Sequence, residues 1–292
     1  MGRAPDFEKA GPEPDAPASA VVSRSSVAEF VFIRLFSLLL LLAMSLPAWG
    51  ADEKKEKKEE KKPEPPRVLV AMPLAVTPGS TIKGRVRGNN LENATELRFT
   101  NASLNASVVI QTKAKVEVPK DADAKKVGDS QMEVEWKFPA GTKPGTNWFT
   151  VTSTNGVSEP HPLVLLLADE LIEEKEPNGG FKQAQAVTPG KILMGVVKEA
   201  ADVDVFQFEG KAGQRVRVEV TAAGLGSALD SIVTLYDSGG HVLAANDDVQ
   251  GRADSVLSVK LRADGVCFVS LIDAQDRGGA TSVYLLKITV EE

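Results

Sequence analysis

From Arg67 onward the chain is interrupted every few residues by Gly, Asn, Asp or Pro, and between interruptions its apolar residues recur mostly at every second position. A spacing of two puts alternate side chains on opposite faces of an extended segment, whereas an amphipathic helix needs apolar residues three and four apart. No long run with the helical spacing follows Arg67. The pattern predicts an all-β chain whose short strands must stack in layers, because each can bury only one face.

In the first part the strands are expected at 68–71, 81–87, 96–99, 107–111, 131–137, 147–153 and 162–167. Within 147–153, Trp148, Thr150 and Thr152 share one face, and Phe149 and Val151 share the other. In the second part they are expected at 192–197, 204–208, 214–221, 232–236, 242–245, 256–261, 266–272 and 283–290. There Val216, Val218 and Val220 lie opposite Arg215, Arg217 and Glu219, while Tyr284, Leu286, Ile288 and Val290 form the inner face of the last strand. The expected architecture is two β-sandwiches in tandem, residues 67–168 and 176–292, joined by an acidic linker at 169–175. That linker, Asp169-Glu-Leu-Ile-Glu-Glu-Lys175, holds few apolar residues, so each sandwich is expected to fold on its own.

A chain of 292 residues is long enough for two such cores once its N-terminal part is set aside. The net charge of −6 argues against a nucleic-acid partner, which needs a basic surface. The single cysteine, Cys267, excludes an intramolecular disulfide and a cysteine-rich zinc site, so stability must come from the hydrophobic cores. Cys267 shares a strand face with Val269 and Leu271 and reads as a buried, inert thiol.

Leu35 to Leu46 is an apolar run preceded by Arg34 and followed by Ala48-Trp-Gly50, whose small residues suit signal peptidase cleavage before Ala51. Residues 1–50 are read as a signal peptide with a long n-region, unless the true start lies downstream of Met1. The competing reading joins Phe30 to Trp49 as one membrane-spanning helix of about 20 residues, against which stand Arg34 inside it and Pro47 near its end. Residues 51–66 are Lys/Glu/Pro-rich and have too little apolar surface to offset ordering entropy, which predicts a disordered charged tether. The expected location is periplasmic or extracellular, or the membrane if residues 30–49 are retained as an anchor.

Four turn-bearing stretches resemble the TIG/IPT type of immunoglobulin-like domain over about Pro66 to Ala168: Thr77-Pro-Gly79, Gly84-Arg-Val-Arg-Gly-Asn-Asn-Leu91, Phe138-Pro-Ala-Gly-Thr-Lys-Pro-Gly145 and Asn155-Gly-Val-Ser158. The resemblance implies a spacer or interaction surface without catalytic residues. Lys113 to Asp129 stands where the family has a short loop and reads as an inserted surface excursion.

The second part resembles the bacterial pre-peptidase C-terminal (PPC) domain. The landmarks, in order, are Glu176-Pro-Asn178, Gly195, Asp202-Val-Asp-Val-Phe206, Ala212-Gly-Gln-Arg-Val216, Leu229-Asp230, Leu235-Tyr-Asp237, Asn246-Asp-Asp248, Gly265 and Tyr284. The resemblance implies a jelly-roll-like sandwich of a kind commonly appended to secreted proteases, some members of which bind calcium, carbohydrate or collagen. It departs at Gly179, where the family often has a carboxylate, and at Cys267, where it often has an aromatic.

In an extended segment residues two apart point the same way, which places Glu174, Glu176 and Asn178 on one side and relates Asp202 to Asp204 in the same manner. Calcium takes six to eight oxygen ligands, which two such runs could supply with backbone carbonyls. The other reading makes Glu174 and Glu176 part of a solvated linker and Asp202 the start of a turn. Asn246, Asp247, Asp248 and Asp254 read as turn residues.

Nothing assembles a catalytic site. Asp237-Ser-Gly-Gly240 places a serine beside glycines, yet a triad needs a histidine oriented by a carboxylate. The chain has only His161, between two prolines, and His241, three residues from Ser238; Ser238-Gly-Gly240 therefore reads as a hairpin turn. The sequence points to an exported, non-catalytic protein that binds or presents a polysaccharide, an envelope component or a protein ligand. Two alternatives remain, an accessory or targeting part of a secreted peptidase and a membrane-anchored structural spacer.

Overall fold

The computed structural model describes residues 63–292 except 119, 121–122 and 250. The signal peptide, the membrane-anchor alternative and most of the charged tether fall outside the described residues. Among those described, no helix is long and apolar enough to cross a membrane.

The first sandwich contains β1 (Arg67–Met72), β2 (Ala75–Val76), β3 (Thr81–Asn89), β4 (Ala94–Phe99), β5 (Ser107–Lys115), β6 (Ser130–Lys137), β7 (Gly145–Ser153), β8 (Gly156–Val157) and β9 (His161–Leu165). One sheet runs β1-β3-β6-β5 and the other β2-β9-β7-β4, with β8 paired to β7. Between them Trp136, Phe138, Phe149 and Phe99 pack edge-on or tilted, the ring arrangement that aromatic quadrupoles favour. Alternation on β7 resolves as Phe149 and Val151 inward, leaving Trp148 47% exposed. β5 continues to Lys115, beyond the expected end at Gln111, because a bulge between Ile110 and Thr112 restores its ladder to β6. The excursion after β5 holds a short helix, Ala124–Val127, capped by the Asp123 side chain.

The second sandwich contains β10 (Leu171–Glu173), β11 (Gln185–Ala186), β12 (Ile192–Val196), β13 (Asp204–Gly210), β14 (Arg215–Thr221), β15 (Ser231–Tyr236), β16 (Val242–Asn246), β17 (Val256–Lys260), β18 (Gly265–Asp273) and β19 (Val283–Glu291). Two five-stranded sheets, β10-β12-β19-β14-β17 and β11-β13-β18-β15-β16, close over a core of Phe206, Phe208, Val218, Leu235, Leu271 and Tyr284, among others. Cys267 lies in that core as a free thiol whose pKa burial pushes up.

The acidic stretch 169–175 is more than a linker. Leu171–Glu173 pairs in parallel with Ile192–Met194 as an edge strand of the second sandwich. The two sandwiches also share a hydrophobic cluster built from Val70, Leu74 and Ala75, from Leu166, and from Leu225 and Leu285, with Leu171 packed against it. None of the buried members belongs to the connecting stretch, so the apolar content of 169–175 could not reveal this contact. β19 is buried on both faces over Tyr284–Leu286: Tyr284, Leu286 and then Ile288 enter its own core, while Leu285 packs in the cluster shared with the first sandwich.

Leu225 is carried by a short 3₁₀ turn, Ala223–Leu225. Asp254 fixes that turn by accepting hydrogen bonds from the backbone N–H groups of Ala222, Ala223 and Gly224 at 2.9, 2.7 and 3.1 Å. Its carboxylate thus caps a segment some thirty residues earlier in the chain (|i−j| of 30 to 32) instead of closing a local Asx turn as expected. Gly226 follows at φ +84°, and a Cβ there would overlap the backbone oxygen of Leu69 across the interface.

Candidate functional site

The lead-in to the second sandwich folds back on its sheets and gathers four of the five candidate ligands. Glu174 follows β10 directly, and its Oε2 accepts from the Val196 backbone N–H at 2.7 Å. Its Oε1 accepts from Asn178 Nδ2 at 3.1 Å. Glu176 accepts from the Asn178 backbone N–H at 3.1 Å and from Lys198 Nζ at 2.7 Å. Asp204 opens β13, fully buried, and its Oδ2 accepts from the Tyr284 hydroxyl at 2.7 Å. Carboxylate oxygens of Glu174, Glu176 and Asp204 all lie within 4.8 Å of one another. Asp202 stands outside this group, with its carboxylate accepting from the Lys198 backbone N–H at 2.6 Å to close a turn.

The cluster is electrostatically strained. Burial, then a hydrogen bond to Glu174 and the charge of that neighbour, push Asp204 up to about 9, with the Tyr284 hydroxyl opposing. These causes favour the protonated form of Asp204, the form in which its O–H can donate to Glu174. Lys198 holds Glu176 below the usual carboxylate range. Burial beside these carboxylates drives the Tyr284 hydroxyl well above its ordinary value, which keeps it a donor. Two buried oxygens of the cluster have no hydrogen-bond partner, Asn178 Oδ1 and Asp204 Oδ1, both on completely buried residues.

The donors are all oxygens, the set a hard cation takes. The repulsion between neighbouring carboxylates that helps push Asp204 up is what such an ion would relieve. Lys198 is its competitor, already neutralising Glu176. Gly179 does not obstruct the site, since a Cβ there would meet nothing closer than Val203 O at 3.6 Å. Gly195 is required, because a Cβ would collide with the Tyr284 hydroxyl and lie 2.7 Å from Glu174 Oε2.

Alternation in the sequence brought Glu174, Glu176 and Asn178 to one place, but it missed Lys198 and the hydroxyl of Tyr284. The only signal for Tyr284 was its recurrence with Gly195 among the PPC landmarks. For Lys198 there was none, since pairing with Glu176 depends on how the lead-in crosses β12.

The side chains that suggested catalysis have structural tasks. Asp237 accepts from the backbone N–H groups of Gly239 and His241 and lies 3.2 Å from His241 Nδ1, forming the β15–β16 hairpin turn with Gly240 at φ +81°. His161 is buried in the first sandwich with its ring edge on Phe149. It reaches the backbone of Leu225 across the interface, and burial lowers its pKa to about 4.

Residues 202–271 match the family model described as bacterial pre-peptidase C-terminal domain. The match begins after the lead-in, so it includes Asp202 and Asp204 but not Glu174, Glu176 or Asn178. A probable subtilase-type serine protease of Deinococcus radiodurans is 36% identical over 130 residues, which is 42% of this chain. The chain spans only 18% of that relative's length. Among solved structures, the pre-peptidase C-terminal domain of a Bacillus anthracis collagenase aligns over 40% of this chain and 100% of its own, at 11% identity and a TM-score of 0.32. A periplasmic inhibitor of g-type lysozyme from Aeromonas hydrophila aligns over 41% of this chain and 96% of its own, at 16% identity and a TM-score of 0.28. The chain carries a bacterial pre-peptidase C-terminal domain, matched at residues 202–271, behind a first β-sandwich.

Proposed function

We propose that this chain is an exported, non-catalytic module that binds or presents a ligand in the cell envelope or extracellular space. Calcium held by Glu174, Glu176, Asn178 and Asp204 would serve it as a structural ion. What carries the proposal is the convergence of carboxylate oxygens of Glu174, Glu176 and Asp204 within 4.8 Å of one another, beside the buried Asn178 that donates to Glu174 through Nδ2. The cluster is floored by Tyr284 and contains no nucleophile paired with a base, which suits an ion that fastens the lead-in and not one that activates a substrate. The similarity to part of a subtilase-type protease supports an exported setting, and it favours a second reading, an accessory or targeting part of a secreted peptidase.

Calcium that binds only the folded state adds RT ln(1 + [L]/Kd), about 2.7 kcal/mol at 100 Kd. Melting the purified chain in EDTA and in millimolar calcium should show a rise of several degrees. Magnesium, which demands stricter octahedral geometry, should give less. Glu176→Gln should remove most of the rise. An unchanged midpoint in the parent chain would reduce the cluster to a hydrogen-bonded clasp. A binding screen of the same protein against polysaccharides, envelope fragments and collagen-like polymers, with and without calcium, would then identify the ligand class.

A further inference from the structure

We infer that the outer edge of β5 is an interface between two copies of this chain, paired antiparallel about Val109. Among the described residues β5 is the longest strand that ends a sheet, and its ladder runs to β6 alone. β4 ends the facing sheet beside β7. Between these two edges lies a groove of about 740 Å³, whose lining includes Leu97 and Phe99 from β4 and Val108 and Ile110 from β5. A strand edge presents N–H and C=O groups at a spacing that another strand matches, so the occupant this edge suits is extended polypeptide.

The two halves of β5 differ in a way that locates the contact. Beyond Ile110 the edge carries features that discourage pairing, a bulge before Thr112 and then Lys113 and Lys115. The Lys113 Nζ donates to Ala94 O at 2.6 Å and bridges the two edges at that end. Ser107-Val-Val-Ile110 has neither charge nor proline, and Val109 stands 50% exposed on it. The only charges lining the groove, Glu96 and Arg98, pair with each other at 2.7 Å. The groove therefore suits an uncharged strand rich in β-branched residues, and residues 107–110 are themselves such a strand.

Pairing about Val109 sets that residue against its own copy, Val108 against Ile110, and Ser107 against Gln111. Lys113 and Lys115 then fall beyond the start of the opposing strand, so no like charges meet. By alternation, Val108 and Ile110 of each copy would turn toward the other's groove. A contact of about five residues a side is far below the roughly 20–30 of a standard interface. The dimer is accordingly expected to be transient, with Kd of about 10⁻⁵ to 10⁻⁴ M. It would join two pre-peptidase C-terminal domains in one particle, raising avidity for any ligand with repeated sites.

The test is sedimentation equilibrium of the purified chain from about 5 to 500 µM, which should show monomer and dimer in exchange, alike in EDTA and in calcium. Val109→Lys, which opposes two like charges at the centre of the pairing, should raise Kd at least tenfold with little change in melting midpoint. Mild oxidation should join Val109→Cys into disulfide-linked dimers, since the native Cys267 is buried, and should leave the more exposed Val157→Cys monomeric. Monomer at every concentration would overturn the assignment and leave this edge to a strand of another protein. A dimer that Val109→Lys does not weaken, or equal crosslinking of the two cysteine variants, would overturn it as well.

Discussion

The contact between the sandwiches leads to a prediction that the connecting stretch by itself would reverse: the two should unfold as one cooperative unit. Leu225 is the side chain to remove, being 6% exposed and seated between Val70 and Leu74 of one sandwich and Leu285 of the other. Leu→Ala in a core costs about 2–5 kcal/mol, with the lower half expected where neighbours can relax, hence about 2–3 kcal/mol here. With a urea slope of about 2–3 kcal/mol/M, the midpoint should fall by about 1 M. The sequence supplies its own probes. Expressed from Ala51, the chain has Trp136 and Trp148 in the first sandwich and its single cysteine, Cys267, buried in the second. Tryptophan fluorescence and thiol labelling should give coincident transitions in the parent chain. In Leu225→Ala the tryptophan transition should shift, although the substitution lies in the other sandwich. Separate transitions in the parent, or a tryptophan midpoint that ignores Leu225→Ala, would refute the coupling.

Further outcomes follow from single residues. His161 has its pKa lowered to about 4 against a free value of 6.5, so the unfolded chain takes up the proton first as pH falls. The stability it contributes is complete above about pH 6.5 and is lost as pH drops toward 4, at most about 3 kcal/mol; urea titrations across this range should lose that slope in His161→Leu. Gly195→Ala should cost about 1–3 kcal/mol through collision with Tyr284 and Glu174. Gly180→Ala, where no atom lies within 4 Å of a Cβ, should stay within about 0.5 kcal/mol by the same melts. Gly179→Asp, which has room, should tighten calcium binding by calorimetry, and weaker binding would show that the carboxylate cannot reach the cluster.

The strands were legible because alternation with turn residues is a local signal, and the inward faces of β7, β14 and β19 are those the spacing indicated. The short strands β2, β8, β10 and β11 were not, since two or three residues are too few to alternate; each exists by pairing with a longer neighbour. The same limit governs the site. Glu174, Glu176 and Asn178 could be grouped by spacing, as could Asp202 and Asp204, but Lys198 and Tyr284, which bond to Glu176 and Asp204, arrive from the turn after β12 and from β19. Asp202 is the converse case: it shares the i, i+2 relation with Asp204, yet it sits before the strand begins, and its carboxylate accepts from the Lys198 backbone N–H.

The lead-in connects the two findings that matter most. Leu171 packs against the cluster shared by the sandwiches, and Glu174, three residues later, is a candidate ion ligand bonded to β12. Between them β10 is held by its ladder to β12. An ion that fastens Glu174 thereby holds β10 in its sheet and Leu171 in the interface, so calcium should stabilise both sandwiches although its ligands belong to one. In the parent chain, calcium should raise the tryptophan and thiol-labelling midpoints together. In Leu225→Ala, with the interface weakened, the thiol midpoint should keep its calcium shift while the tryptophan midpoint loses most of its own. If calcium moves the thiol signal alone in the parent, the ion serves only the second sandwich and the interface holds without it; if both shifts survive intact in Leu225→Ala, coupling runs by a route other than the shared cluster.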